Sequence, residues 1–310
     1  MSTLPSSVLS IDISKDTLDT DAWPKPWRRR VGNDGGGIRA IVAEARRRKA
    51  FVVFEATSIY DRSLMAALDT AAIAYHRANP RKARDFARAS GFLAKTDRMD
   101  AAMLAQYGRS VPLRPAEAVA PERQALRALI DRREQLVAMR KQERTRHHQI
   151  ADKTIREEVT QNIAHLTRQV ARYETKIKAL LNAHRELLKS VQLLSSAPGV
   201  ALITAASLVA FLPELGRRSA KAISALVGVA PLARDSGRLR GQRRIWGGRR
   251  AVRSLLFLAA RHAEKNAAFE PFAHRLKDKG KPIKKVRIAV ARKLLIVLNA
   301  MIADQRPFYA

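Results

Sequence analysis

The chain begins with a short alternation of hydrophobic and polar positions. The run Val8–Ile13 alternates over its length, which predicts a β-strand. Its apolar face carries Leu9, Ile11 and Ile13. Successive side chains of a strand point to opposite faces, so Asp12 is predicted on the face away from those three residues. The first strand therefore offers a carboxylate on the side opposite its apolar residues.

Further strands and helices alternate through the first third of the chain. The predicted elements are polar strands around 17–21 and 27–31, a turn at 35–37, a helix over 38–49, and strands over 51–54 and 73–75. The continuous apolar run at 51–54 is typical of a central strand covered on both faces, and it ends at Glu55. The early strands are predicted to be joined as hairpins and the later ones by helices. The pattern predicts an α/β domain with a mixed sheet.

Two long helices are predicted in the middle of the chain, over 121–150 and 155–190. From 155 to 187, apolar or half-apolar residues recur at alternating steps of three and four, which is a heptad pattern. Thr154 and Glu157 have the spacing of a capping box at the start of the second helix. A heptad pattern specifies packing and not the partner, so an intramolecular helical hairpin and a dimerising coiled coil are equally compatible with it.

The last third of the chain is predicted to be mostly helical. Helical patterns occur at 203–211, 219–227, 251–265 and 284–303. The sequence therefore predicts an α/β domain over 1–115, a helical hairpin or coiled-coil linker over 116–190, and a mainly helical domain over 191–310.

The composition of the chain indicates that its binding partner is a polyanion. The chain has 59 Lys and Arg against 28 Asp and Glu, a net charge of +31, which favours nucleic acid over an anionic membrane. The longest uncharged stretch is interrupted by Pro198 and Gly199, so it is shorter than the roughly 20 residues that span a bilayer. There is no cysteine, which excludes thiolate chemistry and favours a reducing cytoplasm.

Four carboxylates are candidates for a metal site. Asp97 and Asp100 are three residues apart on a predicted helix, so they project from one face and repel each other unless a cation lies between them. Asp12 and Glu55 lie at strand positions within apolar runs, where an unpaired carboxylate is costly. Together the four supply the oxygen ligands that Mg²⁺ prefers, and the reaction class implied is phosphoryl transfer. The alternative interpretation is that each is a solvated surface acid.

A serine in an arginine-rich segment is a candidate nucleophile. Ser236 lies in an Asp-Ser-Gly turn signal, which alone indicates a surface turn. Guanidinium groups nearby can form hydrogen bonds to phosphate oxygens and stabilise charge on a phosphorane. On residue chemistry alone, a clamp on a nucleic-acid backbone is the simpler interpretation. The candidate nucleic-acid contacts are Arg234, Arg238, Arg240, Arg243, Arg244, Arg249, Arg250 and Lys95.

A Pro-Gly turn is a further candidate phosphate contact. Ala197–Val200 leads into an Ala-rich helix and resembles a helix-hairpin-helix, in which the turn at Gly199 offers backbone N–H groups to a phosphate. An ordinary connection between two helices also uses Pro-Gly.

Several segments together resemble one family. They are Ser10–Lys15, Phe54–Thr57, Asn79–Arg88, Ala94–Ala101, Ala197–Val200, Gly228–Pro231, Asp235–Gly237 and Arg249–Leu256. In this order they are similar to the insertion sequence 110 family of transposases, relatives of the Piv DNA invertases. The resemblance covers nearly the whole chain, and Ala94–Ala101 is its most specific segment.

The resemblance implies a fold, a site and a set of partners. It implies an N-terminal RuvC-like, RNase H-type domain in which Asp12, Glu55, Asp97 and Asp100 bind Mg²⁺. It implies that Ser236 is the nucleophile and forms a covalent 5′-phosphoserine intermediate. It also implies homodimers that assemble into tetramers with a composite site, element-end and target DNA as substrates, and a non-coding bridge RNA as guide.

The function expected from the sequence is therefore that of a Mg²⁺-dependent DNA recombinase with a serine nucleophile, in which Arg234 and Arg238 stabilise the developing charge. Two alternatives remain open. A RuvC-like junction nuclease would use the carboxylates and water but not Ser236. A non-catalytic nucleic-acid-binding protein would need only basic charge and helices.

Overall fold

The protein is described by a computed structural model that covers residues 4–57, 59–92, 97–117, 119–232, 235–236, 239–240 and 243–308. The side chains of residues 97–99, 235–236 and 239–240 are outside this description. The chain divides into two compact units, Met1–Ala118 and Val119–Ala310.

The first unit is built on a five-stranded mixed sheet. Its strands are β1 (Val8–Ile13), β2 (Thr17–Trp23), β3 (Arg29–Gly32), β4 (Phe51–Glu55) and β5 (Tyr75–Ala78). Their order is β3-β2-β1-β4-β5. The first three strands pair antiparallel, and β1, β4 and β5 pair parallel. The predicted combination of hairpins and parallel crossovers is therefore confirmed.

The predicted strand over 73–75 is wrong in its limits, because β5 begins only at Tyr75. The backbone N–H of Ile73 donates to the carbonyl of Leu68 at 3.0 Å, so Ile73 belongs to the turn that ends the preceding helix. Ala72 in that turn has a left-handed φ of 53°. The apolar character of Ile73 reflects packing against the core and not strand pairing.

Four helices accompany this sheet: α1 (Gly35–Arg48), α2 (Arg62–Thr70), α3 (Pro80–Ala89) and α4 (Asp97–Ser110). The prediction of a turn at 35–37 is wrong, because α1 already begins at Gly35. The Asp34 carboxylate accepts hydrogen bonds from the backbone N–H groups of Gly36 and Gly37 at 2.8 and 2.9 Å, and this N-cap outweighs the poor helix propensity of three glycines.

The sheet has a buried cluster on each face. Leu9, Ile11 and Ile13 belong to one cluster, which also contains residues of α1 and α2. Val8 and Val53 belong to the other, together with residues of α4. The predicted alternation of β1 is confirmed, and it separates an α1–α2 face from an α4 face.

The second unit begins with a helical hairpin of α5 (Pro121–His147) and α6 (Lys153–Ala183), followed by α7 (Arg185–Ser195). The hairpin helices pack against each other antiparallel. Leu126 and Ile130 share a cluster with Ile177 and Leu181, and nearer the hairpin tip Arg133 donates to Glu174. The intramolecular hairpin is thus present, and a dimerising coiled coil remains a prediction.

Two details of the predicted hairpin helices are wrong. The carboxylate of Asp152, and not Thr154, caps α6 by accepting from the backbone N–H of Ile155 at 2.9 Å. The predicted continuous helix over 155–190 is interrupted at His184, whose φ of −127° and ψ of 92° are extended. The spacing of apolar residues continues across His184, so the sequence pattern does not reveal the interruption of the helix.

The rest of the second unit is mainly helical, as predicted. Its helices are α8 (Leu202–Phe211), α9 (Ala220–Val227), α10 (Arg250–Ala263), α11 (Glu270–Asp278) and α12 (Ile283–Asp304). Four two-residue strands were not predicted: β6 (Pro231–Leu232), β7 (Asp235–Ser236), β8 (Leu239–Arg240) and β9 (Arg244–Ile245). One buried cluster joins the base of the hairpin to α7–α12. Within the described part of the chain, no helix is long and apolar enough to cross a membrane.

Candidate active site

Two of the predicted carboxylates lie at the ends of neighbouring parallel strands. Ser10 pairs with Val53 and Ile11 with Phe54, so one further step along both strands brings Asp12 beside Glu55. Since side chains alternate along each strand, both acids fall on the face of Ser10 and Val53. This is the face covered by α4, and both acids are only partly exposed.

Helix α4 crosses this face with its amino-terminal end toward the two acids. At its far end, a Cβ on Gly108 would lie 2.8 Å from Val8 Cγ1 and 3.0 Å from Val53 Cγ2, so the helix and the sheet are in close contact there. Toward the amino-terminal end of the helix, the carbonyl of Ala101 lies 2.7 Å from the Ser10 hydroxyl. The helix therefore runs from the Asp12 end of β1 toward its beginning.

The other two carboxylates belong to that amino-terminal end. Asp100 immediately precedes Ala101 and is half-buried. Asp97 is the first residue of α4, one turn earlier, and its side chain is outside the description. Lys95 also lies outside the described residues.

The carboxylates provide the right donor chemistry for a divalent cation. Asp12, Glu55 and Asp100 each take part in other polar interactions within the protein. Among the side chains that the structure describes, no three acids or histidines are grouped as a metal site. Asp97 is not among those side chains, so the four-carboxylate site remains a prediction. Hard oxygen donors at adjacent strand ends fit Mg²⁺ or a similar ion.

An ion pair with a buried carboxylate supports the loop that follows Glu55, and sequence reasoning missed it. Asp61 is 1% exposed, and its Oδ2 accepts from Arg77 Nε at 2.6 Å and from the backbone N–H of Thr57 at 3.2 Å. The Thr57 hydroxyl in turn donates to the carbonyl of Glu55 at 3.1 Å. The loop is thereby tied to β5. The sequence signal for this ion pair was an acid six residues after the end of β4, with an arginine in the next strand.

Ser236 is the second residue of the two-residue strand β7, and the connection that follows it, 237–238, lies outside the described residues. Strand β7 pairs antiparallel with β8, and Ser236 stands opposite Leu239. A second antiparallel pair is formed by β6, which precedes β7 in sequence, and β9, which follows β8. Arg234 and Arg238 lie outside the described residues, and the side chains of Ser236 and Arg240 are not described.

The segment between α9 and α10 is held together at its base. A Cβ on Gly228 would lie 2.3 Å from the carbonyl oxygen of Gly247, so the backbone approach there requires glycine. Arg253 Nη1 donates to the same Gly247 carbonyl at 2.5 Å. The ends of the segment that carries Ser236 are therefore fixed against each other and against α10.

The candidate arginines near Ser236 fall into two groups. Arg243, Arg244 and Arg250 are exposed, as contacts with a nucleic acid require. Arg249 instead binds within the protein, because its guanidinium pairs with Glu214 and donates to the carbonyl of Phe211 at 2.9 Å. Burial raises the pKa of Glu214, but the hydrogen bond and charge of Arg249 outweigh it and hold the pKa below its ordinary value.

Gly199 has a packing role in the structure. Its φ of 78° is left-handed, and a Cβ there would lie 2.3 Å from the carbonyl oxygen of Ala259 in α10. The Pro-Gly turn thus lets α10 approach closely, as in an ordinary connection between helices. A phosphate contact at Gly199 remains a prediction.

Two family models match the chain. Residues 9–156 match the DEDD domain of IS110 transposases, described as "Transposase". Residues 191–274 match a domain described as "Transposase IS116/IS110/IS902 family". The chain belongs to the insertion sequence 110 family of transposases. All four carboxylates fall within the first matched range and Ser236 within the second.

Two relatives of this transposase are named as gene-inverting proteins. The pilin gene-inverting proteins of Moraxella lacunata and Moraxella bovis are each 30% identical to it in an alignment of 246 residues, with 76% of this chain and 76% of each relative covered. The transposase is therefore an enzyme of DNA recombination, its substrate is DNA, and its DEDD domain indicates dependence on a divalent metal.

Proposed function

We propose that this transposase is a Mg²⁺-dependent recombinase that excises and inserts an element through a covalent phosphoserine intermediate. The observation that carries the metal-dependent part is the register of β1 and β4, which brings Asp12 and Glu55 to adjacent strand ends beneath the amino-terminal end of α4. Acids from two strands and one helix are the donor set that a phosphoryl-transfer site needs.

The fold of the first unit supports a RuvC-like, RNase H-type domain. Three antiparallel strands continue into two parallel ones, and α4 covers the face that bears the carboxylates. We propose this domain over 1–115, the hairpin linker over 116–190 and the transposase domain over 191–310.

In the proposed reaction, Asp12, Glu55, Asp97 and Asp100 hold the cation. A bound Mg²⁺ supplies neutralisation of negative charge on the scissile phosphate. The Ser236 oxygen forms a bond to phosphorus as the bond from phosphorus to the 3′-oxygen breaks, and the serine proton passes through solvent to the departing oxygen, which leaves as a 3′-hydroxyl. Arg234 and Arg238 stabilise the charge that develops on the phosphoryl oxygens.

The proposed partners are a second copy of the chain and an RNA. The heptad pattern over 155–187, which a dimerising coiled coil also requires, supports a second copy of the chain as a partner. We propose homodimers that assemble into tetramers. A net charge of +31 supports binding of a bridge RNA in addition to element-end and target DNA.

The metal-dependent part is tested with purified protein, the RNA of its locus, and a labelled duplex that carries the element end. Strand cleavage is expected with Mg²⁺, and it is expected to fall by at least about a hundredfold in Asp12→Asn and Asp100→Asn. Asp16→Asn, which removes an exposed acid from the turn after β1, is the matched control and should cleave normally. Normal cleavage by Asp12→Asn would refute the metal assignment.

A further inference from the structure

A cluster of lysines lies on the turn between α11 and α12, far in sequence from every residue assigned above. Its members are Lys277, Lys279, Lys281, Lys284 and Lys285, which we call the lysine knuckle. All five are exposed. Asp278 is the one acid among them and leaves a net charge of +4 within nine residues. None of the acids in the described part of the chain forms an ion pair with a lysine of the knuckle.

The backbone of the knuckle is ordered by hydrogen bonds on both sides of the turn. At the end of α11, the N–H of Lys281 donates to the carbonyl of Leu276 at 3.1 Å. At the start of α12, the N–H groups of Lys285 and Val286 donate to the carbonyl of Pro282 at 2.8 and 3.1 Å. Val286 is fully buried in the core of the unit. The backbone that carries the lysines is therefore ordered before binding, which reduces the conformational entropy lost when they bind a ligand.

The start of α12 adds to the positive potential of the knuckle. This helix has 22 residues, no side-chain cap and no acid in its first turn. The N–H groups of Ile283 and Lys284 precede the first hydrogen bond of the helix, and together with the helix dipole they favour an anion beside Lys284 and Lys285. The lysine side chains and the start of α12 both favour an anion, and together they indicate binding of phosphate groups.

The surroundings favour a duplex over a single strand. Single-stranded nucleic acids are bound largely by stacking of bases on exposed aromatic rings. The phenylalanine rings nearest to the knuckle in sequence are already covered by cations. Arg275 lies over the ring of Phe272 at 5.6 Å, and Lys293 lies over Phe269 and Phe272 at 5.2 and 5.4 Å. The knuckle offers point charges and has no aromatic residue within 277–285, which suits the phosphate backbone of a duplex.

We infer that the lysine knuckle binds the phosphate backbone of duplex DNA independently of sequence, outside the residues that carry the chemistry. The inference rests on the proposed function only in taking DNA as the ligand. In this role the knuckle captures and retains DNA, while the carboxylates and Ser236 carry out cleavage.

The test measures equilibrium binding of the full-length protein to a fluorescent duplex of unrelated sequence, by anisotropy, in EDTA so that no cleavage occurs. Replacing all five lysines by glutamine is expected to weaken binding at least about tenfold and to flatten the dependence of log K on log salt by about 3–4, because each phosphate contact contributes about 0.9 to that slope. Replacing all five by arginine should retain the affinity, because the charge is retained.

The matched control changes the net charge equally but at dispersed exposed sites. It carries Lys→Gln at Lys25, Lys49, Lys176, Lys189 and Lys221. An equal loss of affinity in this control would overturn the inference, because net charge alone would then explain binding. A knuckle variant that keeps its duplex DNA affinity but loses affinity for an RNA probe would also overturn it. Since EDTA suppresses the chemistry, neither result bears on the metal or serine assignments.

Discussion

The Ser10 hydroxyl lies 2.7 Å from the carbonyl oxygen of Ala101 and connects β1 to α4 across 91 positions of sequence. Ser10 is fully buried and is two residues before Asp12, while Ala101 directly follows Asp100. The contact therefore holds together the two elements that carry three of the four proposed metal ligands. The small side chain of Ser10 thus bridges strand and helix at hydrogen-bond distance within the packed interior.

We expect Ser10→Ala to lower the free energy of unfolding by about 1 kcal/mol, the usual contribution of one buried hydrogen bond. We also expect the variant to need more Mg²⁺ for half-maximal cleavage, because α4 is held less firmly over β1. Denaturant unfolding and a Mg²⁺ titration measure the two effects. Ser110→Ala, at the exposed end of α4, should change neither. An unchanged Mg²⁺ requirement in Ser10→Ala would mean that this contact does not position the site.

Asp61→Asn should loosen the loop after Glu55. The buried carboxylate loses its charge while its partner Arg77 keeps its own, so we expect a loss of about 2 kcal/mol in the free energy of unfolding. Cleavage should decline more than binding of DNA, since Glu55 and not the DNA contacts depend on this loop. Comparing cleavage rates with DNA affinity for the variant tests the prediction. Equal declines in both would indicate general unfolding.

Gly199→Ala should be more harmful than Gly91→Ala, although the two glycines share a left-handed φ of 78° and 79°. The backbone strain, about 1–2 kcal/mol, is common to both substitutions. A Cβ at position 91 meets nothing within 4 Å, whereas one at position 199 meets the carbonyl of Ala259. The difference in free energy of unfolding should therefore be about 1–3 kcal/mol. Equal losses would contradict the close helix packing at Gly199.

The Glu214–Arg249 pair makes stability depend on pH. The pKa of Glu214 in the folded protein lies below its ordinary value of 4.5, so the pair stabilises the fold above that pH. This stabilisation is lost as the pH falls through the lower folded pKa. Glu214→Gln should cost about 1 kcal/mol at neutral pH and nothing once Glu214 is protonated. Unfolding curves of both proteins from neutral to acid pH measure this. A difference that persists at low pH would contradict the assignment.

The elements with periodic patterns were predictable from the sequence, and those decided by individual hydrogen bonds were not. The alternation of β1 and the apolar run of β4 predicted the two strands that carry Asp12 and Glu55. The Asp34 cap and the break at His184 depend on single contacts that hydrophobic spacing does not encode. The short strands around Ser236 have too few residues for any period to be visible.

The candidate site was predictable in part for the same reason. Strand positions identified Asp12 and Glu55, and helical spacing identified the pair of Asp97 and Asp100. Asp61 was missed because its burial depends on Arg77 in another strand. Arg249 resembled its exposed neighbours, since sequence alone does not show that Glu214 faces it.

Covalent attachment of Ser236 to DNA is the step on which the proposed reaction depends. The most direct measurement incubates the protein with Mg²⁺, the RNA of its locus and labelled element-end DNA, denatures the mixture, and maps any protein–DNA adduct by mass spectrometry. We expect a phosphoserine at Ser236 that disappears in Ser236→Ala and on chelation of the metal. Metal-dependent cleavage without an adduct, or an adduct that persists in Ser236→Ala, would contradict it.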